Sequence, residues 1–69
     1  MRFPKKFIES KLFDMRSGKK VRYGDMVYWA NFTTREIYGL SAIAAANGVK
    51  DGYKVADISE DYETVTKCE

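Results

Sequence analysis

The 69-residue chain has no histidine, a single cysteine (Cys68) and a single proline (Pro4). Without histidine, the usual arrangements of a nucleophile activated by a neighbouring base cannot be assembled. Histidine and cysteine are also the main ligands of zinc and other soft metals, so no such site is expected. We therefore predict a protein that is not an enzyme and that uses no metal and no cofactor.

One cysteine cannot form an intramolecular disulfide, on which small secreted domains usually depend. The longest apolar segments, Met26–Ala30 and Ala42–Ala46, are far too short to span a bilayer. Basic residues stand near the N-terminus, but no apolar run of a signal peptide follows them. The expectation is a soluble cytoplasmic protein that does not act at a membrane.

The short chain and its high aromatic content together indicate a small core that cannot bury every aromatic side chain. We expect one domain over residues 1–69, with residues 1–5 frayed. A chain this short buries only about 60% of its unfolded surface. It nevertheless carries four phenylalanines, five tyrosines and one tryptophan. Exposed aromatic side chains are favoured at interfaces, so a homodimer is one option.

Charge is divided unevenly along the chain. The first 22 residues contain eight Lys or Arg and two Asp or Glu, a net charge of +6. The other 47 contain four and eight respectively, a net charge of −4. Such asymmetry bears on partners and association rates rather than on the fold.

The basic segment is the strongest candidate for a functional surface. Lys11–Arg16 and Lys19–Tyr23 flank the turn signal Ser17-Gly18 and are predicted to form a hairpin. A basic β-ribbon can enter a DNA groove or lie along a single strand, although lysine also protects strand edges. The predicted partner-binding residues are Lys5, Lys6, Lys11, Arg16, Lys19, Lys20 and Arg22.

A helix is predicted over Thr34–Asn47. Thr33 and Glu36 fit a capping box, with Phe32 and Ile37 as the accompanying hydrophobic pair. Gly48 follows as a typical helix stop. Gly39 is the one local objection to this helix.

The remaining segments with strand character are Met26–Ala30, Tyr53–Ile58 and Glu63–Lys67. The predicted fold is therefore α+β, with about four antiparallel strands and one helix packed on the sheet in the order β-β-α-β-β. The alternative is an all-β small SH3-like barrel, in which Glu36–Ala46 is a strand. The predicted core comprises Leu12, Met26 or Val27, Trp29, Ile37, Leu40, Ala44, Val55 and Val65.

These features predict a small regulatory or inhibitory protein that binds a macromolecule with an anionic surface through the basic hairpin. A small, histidine-free, single-domain chain is typical of an accessory protein of a virus, such as a phage, or of a mobile element. The alternative is a nucleic-acid-binding protein that uses the same basic arm. A further option is that the acidic segment Asp57–Glu63 docks onto a basic partner.

Overall fold

The computed structural model describes residues 3–68. Its elements are α1 (Lys5–Arg16), β1 (Val21–Tyr23), β2 (Met26–Asn31), β3 (Glu36–Ser41), α2 (Ala42–Ala46), β4 (Tyr53–Ile58) and β5 (Val65–Lys67). The strands form one antiparallel sheet in sequence order. The α+β class is confirmed, but residues 3–68 form five strands and two helices instead of four strands and one helix. Neither of these helices is long and apolar enough to cross a membrane.

The first correction concerns the N-terminal segment. Lys11–Arg16 belongs to helix α1 and is not a strand. Ile8, Leu12 and Met15 recur at helical spacing and are the buried residues of α1. The alternation that suggested a strand covers too few residues to outweigh this longer pattern. Ser17-Gly18 therefore connects a helix to β1, and the predicted basic hairpin does not exist.

The second correction concerns the predicted helix Thr34–Asn47. Its first half, Glu36–Ser41, is the central strand β3, which pairs with β2 on one side and β4 on the other. Ile37 and Tyr38 suit this setting, because β-branched and aromatic side chains pack well on a sheet. The all-β alternative was right about this half of the segment.

The turn before β3 explains why the capping-box pattern does not start a helix. The Asn31 side-chain oxygen accepts hydrogen bonds from the N–H groups of Thr33 and Thr34 at 3.0 and 3.3 Å. Asparagine commonly competes with helix formation in this way. The helix starts later, at α2, where the Ser41 hydroxyl accepts from the Ala44 N–H at 3.1 Å.

The other strands agree with the sequence predictions. Met26–Ala30 lies within β2, Tyr53–Ile58 is β4, and the last strand covers Val65–Lys67. Tyr23 pairs with Met26, so Gly24-Asp25 forms a two-residue turn between β1 and β2.

Helix α1 covers one face of the sheet, and the main core lies beneath it. Leu12, Ile37, Leu40 and Val65 of the predicted core are buried, whereas the other predicted core positions are only half-buried. The cluster beneath α1 consists of Ile8, Leu12, Met15, Val21, Tyr28, Ile37, Ala56, Ile58 and Val65.

The second face of the sheet carries the alternate side chains. Trp29 lies opposite Tyr38 on β3, and Tyr38 lies opposite Lys54 on β4. Leu40 is also on this face and is buried, but it does not belong to the cluster beneath α1. The two faces are occupied differently: α1 packs on the first, whereas on the second Gly52, in the connection after α2, lies against Trp29.

Candidate functional site

The predicted partner-binding residues do not form one surface. Lys5, Lys6, Lys11 and Arg16 are spread along the 12 residues of α1, and Arg16, in its last turn, lines a groove together with Trp29 and Tyr38. Lys5 and Lys6 are exposed at the start of the helix. Lys11 is half-buried, and its ammonium lies 5.9 Å from the centroid of the Phe7 ring.

Of the other three predicted residues, Lys20 and Arg22 lie at the second face of the sheet, and Lys19 immediately precedes Lys20. Lys19 and Lys20 are exposed in the connection between α1 and β1. Arg22 is exposed on β1 opposite Val27, which places it on the same face as Trp29. Its Nε donates a hydrogen bond to the Gly24 carbonyl oxygen at 3.0 Å.

Two aromatic rings stack beside these cations. The ring centroids of Trp29 and Tyr38 are 6.3 Å apart, and the ring planes differ by 23°. Both residues are half-buried, so each ring keeps some accessible surface. We call this part of the sheet, with Trp29, Tyr38, Lys19, Lys20 and Arg22, the aromatic face.

The Lys20 ammonium lies over the Trp29 ring, 5.1 Å from its centroid. This is within the distance at which a cation is attracted to an aromatic ring. The contact joins the basic connection after α1 to the aromatic pair on β2 and β3. It also places a positive charge directly beside a flat apolar surface.

A hydrogen-bonded network orients the Tyr38 ring. The Tyr38 hydroxyl donates to Glu36 Oε1 at 2.6 Å, and Lys54 Nζ lies 3.2 Å from Glu36 Oε2 and 2.8 Å from Asp57 Oδ1. The hydrogen bond from Tyr38 lowers the pKa of Glu36, and the same bond raises the pKa of Tyr38. Asp57 and then Glu36 raise the pKa of Lys54. The positive charge of Lys54 is therefore balanced by two neighbouring carboxylates, unlike the charges of Lys20 and Arg22 on the β1 side.

The sheet edge beside the aromatic face is open. Strand β1 pairs with β2 only as far as Tyr28. The next residues of β2, Trp29–Asn31, line a groove of about 410 Å³ together with Arg16, Phe32 and Tyr38 among others. A chain-like ligand that crosses the aromatic face could continue into this groove.

Sequence reasoning missed both aromatic members of the site. The sequence pattern predicts Trp29 in the core and Tyr38 in a helix, and so does not bring the two side by side. The available signal was the alternation along β2, which puts Trp29 and the buried Tyr28 on opposite faces. Recognising the stack also required the strand pairing of Trp29 with Tyr38.

Comparison with protein-family models, curated proteins and solved structures found no match to this chain. The functional argument therefore rests on the residues themselves.

Proposed function

We propose that this protein binds single-stranded nucleic acid on the aromatic face. The observation that carries the proposal is the stacked pair Trp29–Tyr38 with the Lys20 ammonium 5.1 Å above the Trp29 ring. Proteins that bind single strands combine aromatic rings, on which bases stack, with cations that follow the phosphates. The aromatic face offers both within one small area.

The two rings would accept unpaired bases. Every base has an aromatic surface, so stacking tolerates different sequences and contributes about 1–3 kcal/mol per base. Lys20 is exposed, so its side chain would leave the Trp29 ring and contact a phosphate when a base takes its place. The hydrogen bond that the Tyr38 hydroxyl donates to Glu36 holds the Tyr38 ring in a fixed orientation.

The charges give the site a direction. The cations Lys19, Lys20 and Arg22 lie on the β1 side of Trp29. The β4 side carries Glu36, Asp57 and Lys54, whose positive charge is paired with these two carboxylates. The phosphates would therefore follow the β1 margin while the bases point inward to the rings. Lys5, Lys6 and Lys11 are on α1 and are not required in this arrangement.

A regulatory or inhibitory protein that engages an anionic protein surface is the alternative, and the same cations would serve it. Salt distinguishes the two partners. For nucleic-acid binding, the logarithm of the affinity falls linearly with the logarithm of the salt concentration, because binding releases counterions from the phosphates. A protein interface centred on buried aromatic side chains depends less on salt.

The test is fluorescence anisotropy with a labelled single-stranded octanucleotide, as DNA and as RNA, against the matching duplex. Trp29→Phe should retain binding, and Trp29→Ala or Tyr38→Ala should weaken it about 5- to 150-fold, the equivalent of one lost base stack. Tyr53→Ala is the matched control, because Tyr53 is 64% exposed and lies opposite Gly39 on the other face. Equal losses in the control, or no preference for the single strand, would reject the proposal.

A further inference from the structure

A second stacked pair of aromatic rings lies beyond the groove that extends the aromatic face. Phe32, just after β2, and Tyr62, in the connection from β4 to β5, have ring centroids 5.7 Å apart and planes within 7° of each other. Phe32 is half-buried against the core, whereas Tyr62 is 45% exposed. The Tyr62 ring therefore keeps accessible surface while its stacking partner is anchored.

The groove beside Trp29 leads to this second pair. That groove, of about 410 Å³, is lined by Trp29, Arg16 and Phe32 among others. Arg16 and Phe32 also line a groove of about 730 Å³, which lies between α1 and the connection from β4 to β5 and includes Tyr62. The two grooves thus join, and the three residues of chain from Trp29 to Phe32 span at most about 11 Å. One strand of nucleic acid can reach both aromatic pairs.

Arg16 is the cation at the junction of the two grooves. It is the last residue of α1, is exposed and makes no ion pair within residues 3–68. A guanidinium group donates hydrogen bonds in a fork that matches the oxygens of a phosphate. Arg16 is therefore placed to bind a phosphate between the two aromatic pairs.

The connection from β4 to β5 holds Tyr62 in an uncommon backbone conformation. Its φ of 58° lies in the left-handed region, which bulky residues rarely adopt. The Tyr62 N–H donates to the Ser59 carbonyl oxygen at 3.0 Å, and Asp61 accepts hydrogen bonds from the Ser59 hydroxyl and the Glu63 N–H. Such conformations persist where the surrounding structure fixes them, and they cluster at ligand sites. The ring is in place before a ligand arrives, which lowers the cost of binding.

Carboxylates of the larger groove determine which part of a nucleotide fits beside Tyr62. Glu9, Asp61 and Glu63 line this groove. Glu9 and Asp61 accept hydrogen bonds from backbone N–H groups, so both have structural roles. Because like charges brought together cost free energy, these carboxylates disfavour a phosphate next to the Tyr62 ring. The phosphate stays at Arg16, and only the uncharged base extends to the ring.

We propose that the single strand bound on the aromatic face continues past Arg16 and stacks a further base on Tyr62. This inference rests on the proposed function and extends the binding surface from one aromatic pair to two. Arg16 binds the phosphate that lies between the base on Trp29 and the base on Tyr62.

Titration of the unlabelled octanucleotide against Trp29 fluorescence tests the second aromatic pair. Tyr62→Ala should weaken binding about 5- to 150-fold, the equivalent of one lost base stack, and Tyr62→Phe, which keeps a ring, should retain it. The quenching of Trp29 at saturation should be unchanged in Tyr62→Ala, because the first aromatic pair is intact. Tyr53→Ala, at a tyrosine that is 64% exposed elsewhere, should bind like wild type.

Salt dependence tests the role of Arg16. Each phosphate contact on a single strand contributes about 0.7 to the slope of log affinity against log salt. Arg16→Gln should therefore reduce the steepness of this slope by about 0.7. Lys6→Gln makes the same change in charge at the exposed start of α1 and should leave the slope unchanged.

The outcomes separate this inference from the proposed function. Wild-type affinity in Tyr62→Ala, beside a clear loss in Trp29→Ala, would overturn the second aromatic pair as a binding surface and leave the proposed function standing. An unchanged salt slope in Arg16→Gln would overturn the path past Arg16. Wild-type affinity in Trp29→Ala would overturn both proposals.

Discussion

Gly52 lies against the edge of the Trp29 indole. A Cβ atom at position 52 would fall 2.5 Å from Trp29 Cη2 and 2.8 Å from the Gly39 carbonyl oxygen. The tryptophan ring thus reaches across β3 to the start of β4. Its position depends on the connection after α2 as well as on its own strand.

Gly52→Ala should therefore disturb both the fold and the aromatic face. One of the two close neighbours is backbone, so relief requires movement of a strand, and overpacking of this kind costs about 1–3 kcal/mol. Urea denaturation followed by Trp29 emission measures the stability and the ring environment together. Asp51→Ala, at the exposed neighbouring position, is the control. Unchanged stability and emission in Gly52→Ala would show that Trp29 is held differently.

Ile8→Ala tests whether α1 forms the cover of the core. Ile8 is fully buried between α1 and the sheet. Removing such a side chain costs about 2–5 kcal/mol. The whole stability of a chain this small is on the order of 3–5 kcal/mol. The melting temperature should fall sharply, and the milder Ile8→Val provides a folded variant with a smaller loss. Phe13→Ala on the same helix should melt close to wild type, and a reversal of the two would mean that the helix is turned the other way.

Acid should weaken the network around Tyr38. The pKa of Glu36 is lowered from its ordinary value of 4.5, chiefly by the hydrogen bond from the Tyr38 hydroxyl. A carboxyl whose pKa is lower in the folded state stabilises the fold above its unfolded pKa, and that contribution is lost as pH falls through the folded pKa. Glu36→Gln should thus be less stable than wild type at neutral pH.

The difference between wild type and Glu36→Gln should close as the pH falls below 4.5. Urea midpoints of both proteins across this acid range measure it. Asp61 also has a lowered pKa, caused first by its hydrogen bond from Ser59. Both proteins should therefore lose some stability in acid. A gap that stays constant with pH would contradict the assigned role of Glu36.

Reversing Lys19 and Lys20 to glutamate should abolish binding of the single-stranded octanucleotide. Both side chains are exposed, and surface substitutions usually change stability by less than about 0.5 kcal/mol. Lys5→Glu with Lys6→Glu makes the same change in net charge at a distant place. In anisotropy titrations it should weaken binding only through the long-range field. Similar losses in both variants would mean that net charge, and not the aromatic face, determines binding.

Local signals predicted β2, β4 and β5 and the helical character of Ala42–Ala46, but not helix α1 or the central strand β3. Alternating apolar residues and turn pairs define β2 and β4 within a few positions. The capping-box pattern at Thr33 failed because Asn31 supplies a competing turn, and pairing on both sides holds Glu36–Ser41 in a strand. The pairing of β3 with β4 joins residues as far apart in sequence as Glu36 and Asp57, which a local pattern does not contain.

The candidate site was predictable only in its charges. Lys19, Lys20 and Arg22 are neighbours in sequence, so the sequence alone groups them, although it groups them with four cations of α1 as well. The rings that complete the site lie on two strands, and only the register of β2 against β3 brings Trp29 and Tyr38 together. The role of Gly52 depends on a contact across the sheet and has no counterpart in the local sequence.

The most direct test of nucleic-acid binding is the intrinsic fluorescence of Trp29, the only tryptophan in the chain. Titration with an unlabelled single-stranded octanucleotide should quench this fluorescence, because a base stacks on the indole. If Lys19, Lys20 and Arg22 each neutralise one phosphate, log affinity should fall against log salt with a slope of about −2. Binding detected by anisotropy with no change in Trp29 emission, or a slope near zero, would contradict the account.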